Sequence, residues 1–185
     1  MTTTSHVTLL TNDNIRTRIP REVAIKSRLI ENALEDIDID GENEDDAENV
    51  QAIPLANVTS NDLRRVVQFC AAELEYDRTI CDAVDSNAAV FGTATGVFEG
   101  KKEALVQEIV AECTPSSGHD CLFRLIMAVN YLDIPSMMDC LCQFVAHSMI
   151  RGKTPEEIRR AFGVENTLTP EEEEEYRREH SWAFR

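Results

Sequence analysis

Six cysteines and four histidines are the side chains in this chain best suited to metal or nucleophilic chemistry. Their spacing assembles neither. Cys140-Leu141-Cys142 sets one residue between its thiols where a zinc knuckle uses two, and no second pair answers it. His119 and Cys121 are close, but two ligands fall short of the four that close a structural zinc site. Each histidine stands apart in sequence from any Cys, or Ser with Asp, arranged with the logic of an activated nucleophile. Gly96-Val97-Phe98-Glu99-Gly100-Lys101-Lys102 looks superficially like a phosphate loop. It has three residues between the glycines where four are needed, and Lys102 where a Ser or Thr would hold the metal. The Glu171–Glu175 run reads as a solvated helix face. The expectation is a non-enzyme with no catalytic residue, no metal site and no cofactor.

Charge narrows the partners. Across 185 residues the net charge is -16, which argues against nucleic acid and against anionic membrane surfaces. Much of it is local, since nine acidic residues and no basic ones lie between Glu35 and Glu48. Such a block is expected to be a solvated loop, about 35–49. The polar start Met1-Thr2-Thr3-Thr4-Ser5-His6 is unlike a signal peptide, and no apolar run approaches the ~20 residues of a membrane span. The cysteines are therefore expected to stay reduced and pack as small hydrophobes in a protein of the cytoplasm and nucleus.

The elements that position these residues can be read from periodicity. Val7-Thr8-Leu9-Leu10, the turn cluster Thr11-Asn12-Asp13-Asn14 and the alternating Ile15-Arg16-Thr17-Arg18-Ile19 predict a hairpin with one wet face. Pro20 opens a short helix to about Ser27, and a second runs to about Asp36 with Leu29, Ile30, Ala33 and Leu34 on one stripe. Val50–Leu55 is expected to return as a strand, with Pro54 at a sheet edge. A long helix is predicted over Asn57–Leu74, capped by Thr59 or Ser60, with Leu63, Val66, Val67, Cys70 and Leu74 facing the core. Gly92, Gly96 and Gly100 predict a flexible loop over about 76–100. Helices are then expected over Lys101–Cys113, His119–Leu132 and Pro135–Ile150, the last with Met138, Leu141, Cys142, Val145 and Met149 on one stripe. The order, β-α-β followed by helices alone, predicts an α+β domain.

Two stretches do not fit a self-contained core. The His119–Leu132 helix has one stripe in Leu122, Leu125, Ile126 and Val129, and a second in Phe123, Met127, Asn130 and Tyr131. The second stripe fits either a helix buried on all sides or an aromatic, Met-bearing face for a partner. Arg151–Arg185 poses the opposite problem. Thr154-Pro155-Glu156-Glu157 and Thr169-Pro170-Glu171-Glu172 are near-copies of one helix start: Thr at the cap, Pro at the first position, Glu closing a capping box. The large apolar residues after these starts are sparse: Ile158, Phe162, Val164, Leu168, Tyr176, Trp182 and Phe184. Short helices need packing to persist, so this tail calls for a partner.

At Asn130-Tyr131-Leu132-Asp133-Ile134 and at Ile150–Arg159 the chain resembles the S-phase kinase-associated protein 1 family, adaptors of SCF-type cullin–RING ubiquitin ligases. The resemblance continues through Phe162, Asn166 and Thr169–Glu174 to Trp182. Weaker echoes lie in the first strand, the acidic loop, Ile53-Pro54-Leu55 with Asn57-Val58, and the Leu63–Cys70 helix. It implies a BTB/POZ-like α+β domain over 1–133 that docks a cullin, followed by a helical extension over 134–185 that clasps F-box proteins. It carries cullin contact onto Asn130 and Tyr131, with Phe123 and Met127 as weaker neighbours. It carries F-box contact onto Leu141, Val145, Ile150, Ile158, Phe162, Val164, Asn166 and Trp182. It also admits a weak homodimer, and self-association without cullin binding is the alternative. Three features depart from the family pattern. Residues 76–102 lack its charged, Pro-rich character, Ala56 stands where Pro is common, and His147-Ser148-Met149 carries one extra residue before Ile150.

Overall fold

A computed structural model describes residues 5–36, 52–85, 91–112 and 120–184, with the backbone alone for 80–85, 91–99 and 183–184. The expected acidic loop lies mostly outside the described residues, as does the predicted break at 114–118. By packing, the chain forms two units, 1–146 and 147–185.

In the first unit, β1 (His6–Thr11) and β2 (Arg16–Pro20) form the predicted hairpin, with Leu9 opposite Thr17. β3 (Ile53–Leu55) joins β1 in parallel, giving the order β2-β1-β3 with Pro54 exposed on an edge strand. Alternation buries Val7, Leu9, Ile19, Ile53 and Leu55 on one side. The hairpin turn is pinned to the helices through Asp13. Its carboxylate accepts from the Ser60 hydroxyl (2.6 Å), the Ser60 N–H (3.2 Å) and the Thr11 hydroxyl.

Helices α1 (Arg21–Ala24) and α2 (Arg28–Asp36) follow the hairpin, and α3 (Ser60–Asp85), α4 (Phe91–Ala111), α5 (Asp120–Leu132) and α6 (Pro135–Val145) form a ring. In it α3 touches α4 and α5, and α6 touches the same two. The Thr59 hydroxyl caps α3, accepting from the Asp62 N–H at 3.2 Å. Glu73 of α3 is buried where the ring closes. Its carboxylate meets Lys102 of α4, accepts from the Ser136 hydroxyl of α6 at 3.1 Å and lies 3.9 Å from Lys26. Burial alone would depress the charge on Lys26, but the Asp77 carboxylate 2.6 Å away and Glu73 hold its pKa above the ordinary value. A buried carboxylate held by cations on separate elements fixes how those elements meet.

Two predicted elements differ. The loop expected over 76–100 is helical at both ends, as α3 runs to Asp85 and α4 starts at Phe91. Tyr76–Asp85 has neither Gly nor Pro to stop α3. Each glycine in α4 costs about 1 kcal/mol, a penalty a 21-residue helix absorbs. The second difference is at the end of α6, where Ala146–Ile150 is a π-helical turn. Such a turn closes i→i+5 rings and spends one more residue than an α turn.

In the second unit, α7 (Pro155–Phe162) and α8 (Pro170–Glu179) start as the sequence predicts. Each has a complete capping box, Thr154 with Glu157 and Thr169 with Glu172. Gly163, at φ 65°, ends α7: the Val164 N–H reaches the Arg159 carbonyl at 2.9 Å and the Gly163 N–H the Arg160 carbonyl. A 3-10 turn (Ser181–Phe184) follows α8.

Candidate functional site

The end of α5 is fixed from several directions. Asp133 takes the left-handed conformation, φ 51°, that stops the helix. The Ile134 N–H donates to the Val129 carbonyl and the Asp133 N–H to the Asn130 carbonyl, the paired bonds of a Schellman turn. Ser27 couples this end to α2: its hydroxyl donates to the Leu132 carbonyl at 2.6 Å and accepts from the Ile30 N–H at 3.3 Å. The Arg28 N–H donates to the Asp133 carbonyl. Leu132 and Ile134 are buried, so Asn130-Tyr131-Leu132-Asp133-Ile134 is a rigid corner with an inner and an outer side.

The outer side decides between the two readings of the second stripe. Met127 is 67% exposed, Asn130 is exposed, and Phe123 and Tyr131 are half-buried. Leu122, Leu125, Val129 and Leu132 are enclosed on the other side. The helix is therefore not buried all round, and Phe123, Met127, Asn130 and Tyr131 form one apolar stripe with an amide and a phenol at its end.

Of the stripe predicted over Pro135–Ile150, Leu141 is buried on α6 and Met149 in the π-helical turn, while Met138, Cys142 and Val145 are not. The buried residues are Ile134, Met137 and Leu141, at i, i+3 and i+7. Leu141 is fully enclosed (0%), so it belongs to the core and presents no contact surface, a correction to its sequence-based placement. Met138 and Val145 are half-exposed and Cys142 is exposed, so a second, outer stripe runs beside the core one. Met138 and Cys142 are open residues to which the sequence reading gave no contact role. Two apolar stripes one position apart cannot be ranked by periodicity alone. Cys142 also departs from the expectation of packed thiols, which Cys70 and Cys121 meet. Burial pushes the Cys70 thiol up to about 12 and raises that of half-buried Cys140. The Cys81 and Cys113 side chains lie outside the described residues.

In the second unit neither α7 nor α8 buries a residue. Polar contacts join them: Arg159 to Glu173 at 3.2 Å, Arg177 to Glu156 at 3.7 Å, and the Asn166 amide donating to Glu173 at 2.9 Å. Asn166 also accepts from the Leu168 N–H at 3.2 Å, shaping the link between the helices. Ile158 and Phe162 are half-buried, while Ile150, Val164 and Trp182 are exposed, Trp182 by 74%. Leu168 and Tyr176 are open too; the sequence marked them as under-packed without assigning them contacts. Among the described residues, no group of three His, Cys, Asp or Glu side chains could hold a metal ion, and no helix is long and apolar enough to cross a membrane.

Comparison with known proteins places this geometry. Residues 5–75 match the tetramerisation domain of the Skp1 family, and residues 135–183 its dimerisation domain. The chain belongs to the Skp1 family. Among its relatives is the E3 ubiquitin ligase complex SCF subunit sconC of Arthroderma otae, 38% identical over 183 residues, covering 98% of this chain and 96% of that protein. SKP1-like protein 1A of Arabidopsis thaliana is 36% identical over 178 residues, covering 96% of both. SKP1-like protein 20 of Oryza sativa is 38% identical over 168 residues, covering 90% of this chain and 87% of that protein. The fold is accordingly α+β and BTB/POZ-like, with a helical C-terminal part. The second matched segment starts at α6, which by packing sits in the first unit.

Proposed function

We propose that this protein is a non-catalytic adaptor of an SCF-type E3 ubiquitin ligase, bridging a cullin to F-box substrate receptors. One observation carries the reading: a Skp1-family chain leaves two sets of apolar residues open, one on its folded domain and one on helices with no buried residue of their own. The cullin is proposed to cover the outer side of the α5 corner, on Phe123, Met127, Asn130 and Tyr131. F-box helices are proposed to cover Ile150, Ile158, Phe162, Val164, Asn166 and Trp182 of the second unit, and separately the outer α6 stripe of Met138, Cys142 and Val145. That is helix-in-groove recognition, in which each partner completes the other's core. The adaptor's work is geometric: holding two partners on one scaffold raises the effective concentration of one for the other.

Pulldown with a cullin and an F-box domain tests this. Asn130→Lys with Tyr131→Lys is expected to abolish cullin capture and leave F-box capture intact. Loss of both together would mean that Tyr131 is structural, and capture of neither partner by the native chain would overturn the reading. Self-association is the competing reading, since the matched segments are described as dimerisation and tetramerisation domains. A stable oligomer at micromolar concentration that does not dissociate on adding cullin would favour it.

A further inference from the structure

A second surface, unrelated to the adaptor role, lies on the free edge of the sheet. The hairpin's hydrogen bonds fix which backbone groups face outward. The Thr11 N–H donates to the Ile15 carbonyl and the Arg21 N–H to the Ser5 carbonyl, so the odd-numbered residues of β2 bond to β1. Arg16 and Arg18 alternate with them and turn their backbone groups to the open side, while the carbonyl of Pro20 starts α1. No strand pairs with β2 on that side among the described residues. The Arg16 and Arg18 side chains project on the sheet face opposite buried Ile19, across from Leu10 and Thr8, and both are exposed. Exposed Arg21 comes immediately after the strand.

The acids nearest these cations in sequence are engaged elsewhere, Asp13 by Ser60 and Glu22 by Arg78. None of Arg16, Arg18 and Arg21 forms an ion pair among the described residues. A run of such arginines in a chain of net charge -16 is a local reversal of its field. A bare strand edge with two outward N–H groups and two outward carbonyls is a template for strand addition.

We infer that the β2 edge binds an extended acidic segment of another protein. The segment adds to the sheet as a fourth strand through the Arg16 and Arg18 backbones, and its carboxylates meet the Arg16 and Arg18 guanidinium groups. Backbone pairing sets the register and charge selects the ligand. A nucleic acid would offer the charge without the strand, and would meet the repulsion of the remaining acidic surface.

The test uses the full chain and a fluorescently labelled octapeptide of alternating Glu and Thr, followed by anisotropy at low salt. Saturable binding is expected. Arg16→Glu with Arg18→Glu should weaken it about tenfold or more without changing the melting temperature. Arg16→Gln with Arg18→Gln, a milder pair, serves if the first variant fails to fold. The same peptide N-methylated at alternate residues should bind at least several-fold more weakly. The inference is overturned if the peptide does not bind, if the variants bind it as tightly, or if N-methylation changes nothing. It is equally overturned if a single-stranded thymidine oligonucleotide binds more tightly than the peptide.

Discussion

Trp182 gives the sharpest separation of stability from binding. An aromatic side chain of this class buries about 150–250 Å² when fully enclosed. With 74% of Trp182 open, about 110–185 Å² remains for a partner to cover. At about 25 cal/mol per Å², that is about 3–5 kcal/mol of gross burial. Immobilising the side chain and its surroundings removes part of this, leaving about 2–4 kcal/mol for Trp182→Ala in F-box binding. The same exposure means the free chain loses little, about 0.5 kcal/mol or less in its own stability. The assay is therefore paired: calorimetry of native and Trp182→Ala chains with one F-box domain, and denaturant unfolding of each chain alone. A binding change below about 0.5 kcal/mol would remove Trp182 from the interface. A drop of more than about 1 kcal/mol in the free chain's stability would show that Trp182 belongs to its own core.

Other substitutions separate the remaining roles. Leu141→Ala, at a fully enclosed position, should cost about 2–5 kcal/mol of stability in denaturant unfolding, and a loss below about 1 kcal/mol would contradict its place in the core. Thr169→Ala removes the side-chain acceptor of the α8 cap and should destabilise that helix by about 1 kcal/mol. The readout is faster amide exchange at Glu172, and unchanged exchange would mean the capping bond is not formed in solution. Asp13 predicts a pH dependence. Hydrogen bonds from Ser60, then Thr11, lower its carboxyl from 3.8 to about 2, so folding favours the charged form. Its contribution is present in full above the unfolded value and disappears as pH falls through about 2. The gap in melting temperature between native and Asp13→Ala chains should hold at neutral pH and narrow over that acid range; a gap that widens on acidification would reverse the sign of the argument.

How much of this was legible depended on whether a signal was local. The capping boxes at Thr154 and Thr169 involve residues three apart, and both form as read. The hairpin was legible because alternation and a turn cluster sit within one short segment. Legibility ended where distant packing decides. Glu73 looks like any helical glutamate until Lys26, Lys102 and Ser136 are brought to it from three other places in the chain. On α6 the sequence offered two apolar stripes one residue apart, and only the contacts with α4 and α5 chose Leu141 as core and Cys142 as surface. Glycines weigh heavily in a sequence and lightly in a long helix, so the first half of α4, Phe91–Gly100, was read as loop while its Lys101–Ala111 half was read as helix. For the candidate site, periodicity supplied the α5 stripe, and family resemblance gave its residues a role. Periodicity could not say whether that stripe faced inward.

The contrast between the two units bears on why an adaptor would be built this way. The first has a buried core, a carboxylate held by α4, α6 and the turn before α2, and a Schellman corner locked to α2. It holds the Asn130–Tyr131 surface in a fixed place, and on the proposed reading a scaffold contact needs that, because a misplaced surface would misplace everything carried beyond it. The second has capped helices that start well and bury nothing. Capping lowers the cost of ordering the helices before a partner arrives, while the missing core leaves most of the hydrophobic gain to be made on binding. On the proposed reading, a chain serving many receptors benefits from that division. Its invariant contact is rigid, and its exchangeable contact is held by a surface that no single partner has had to be displaced from.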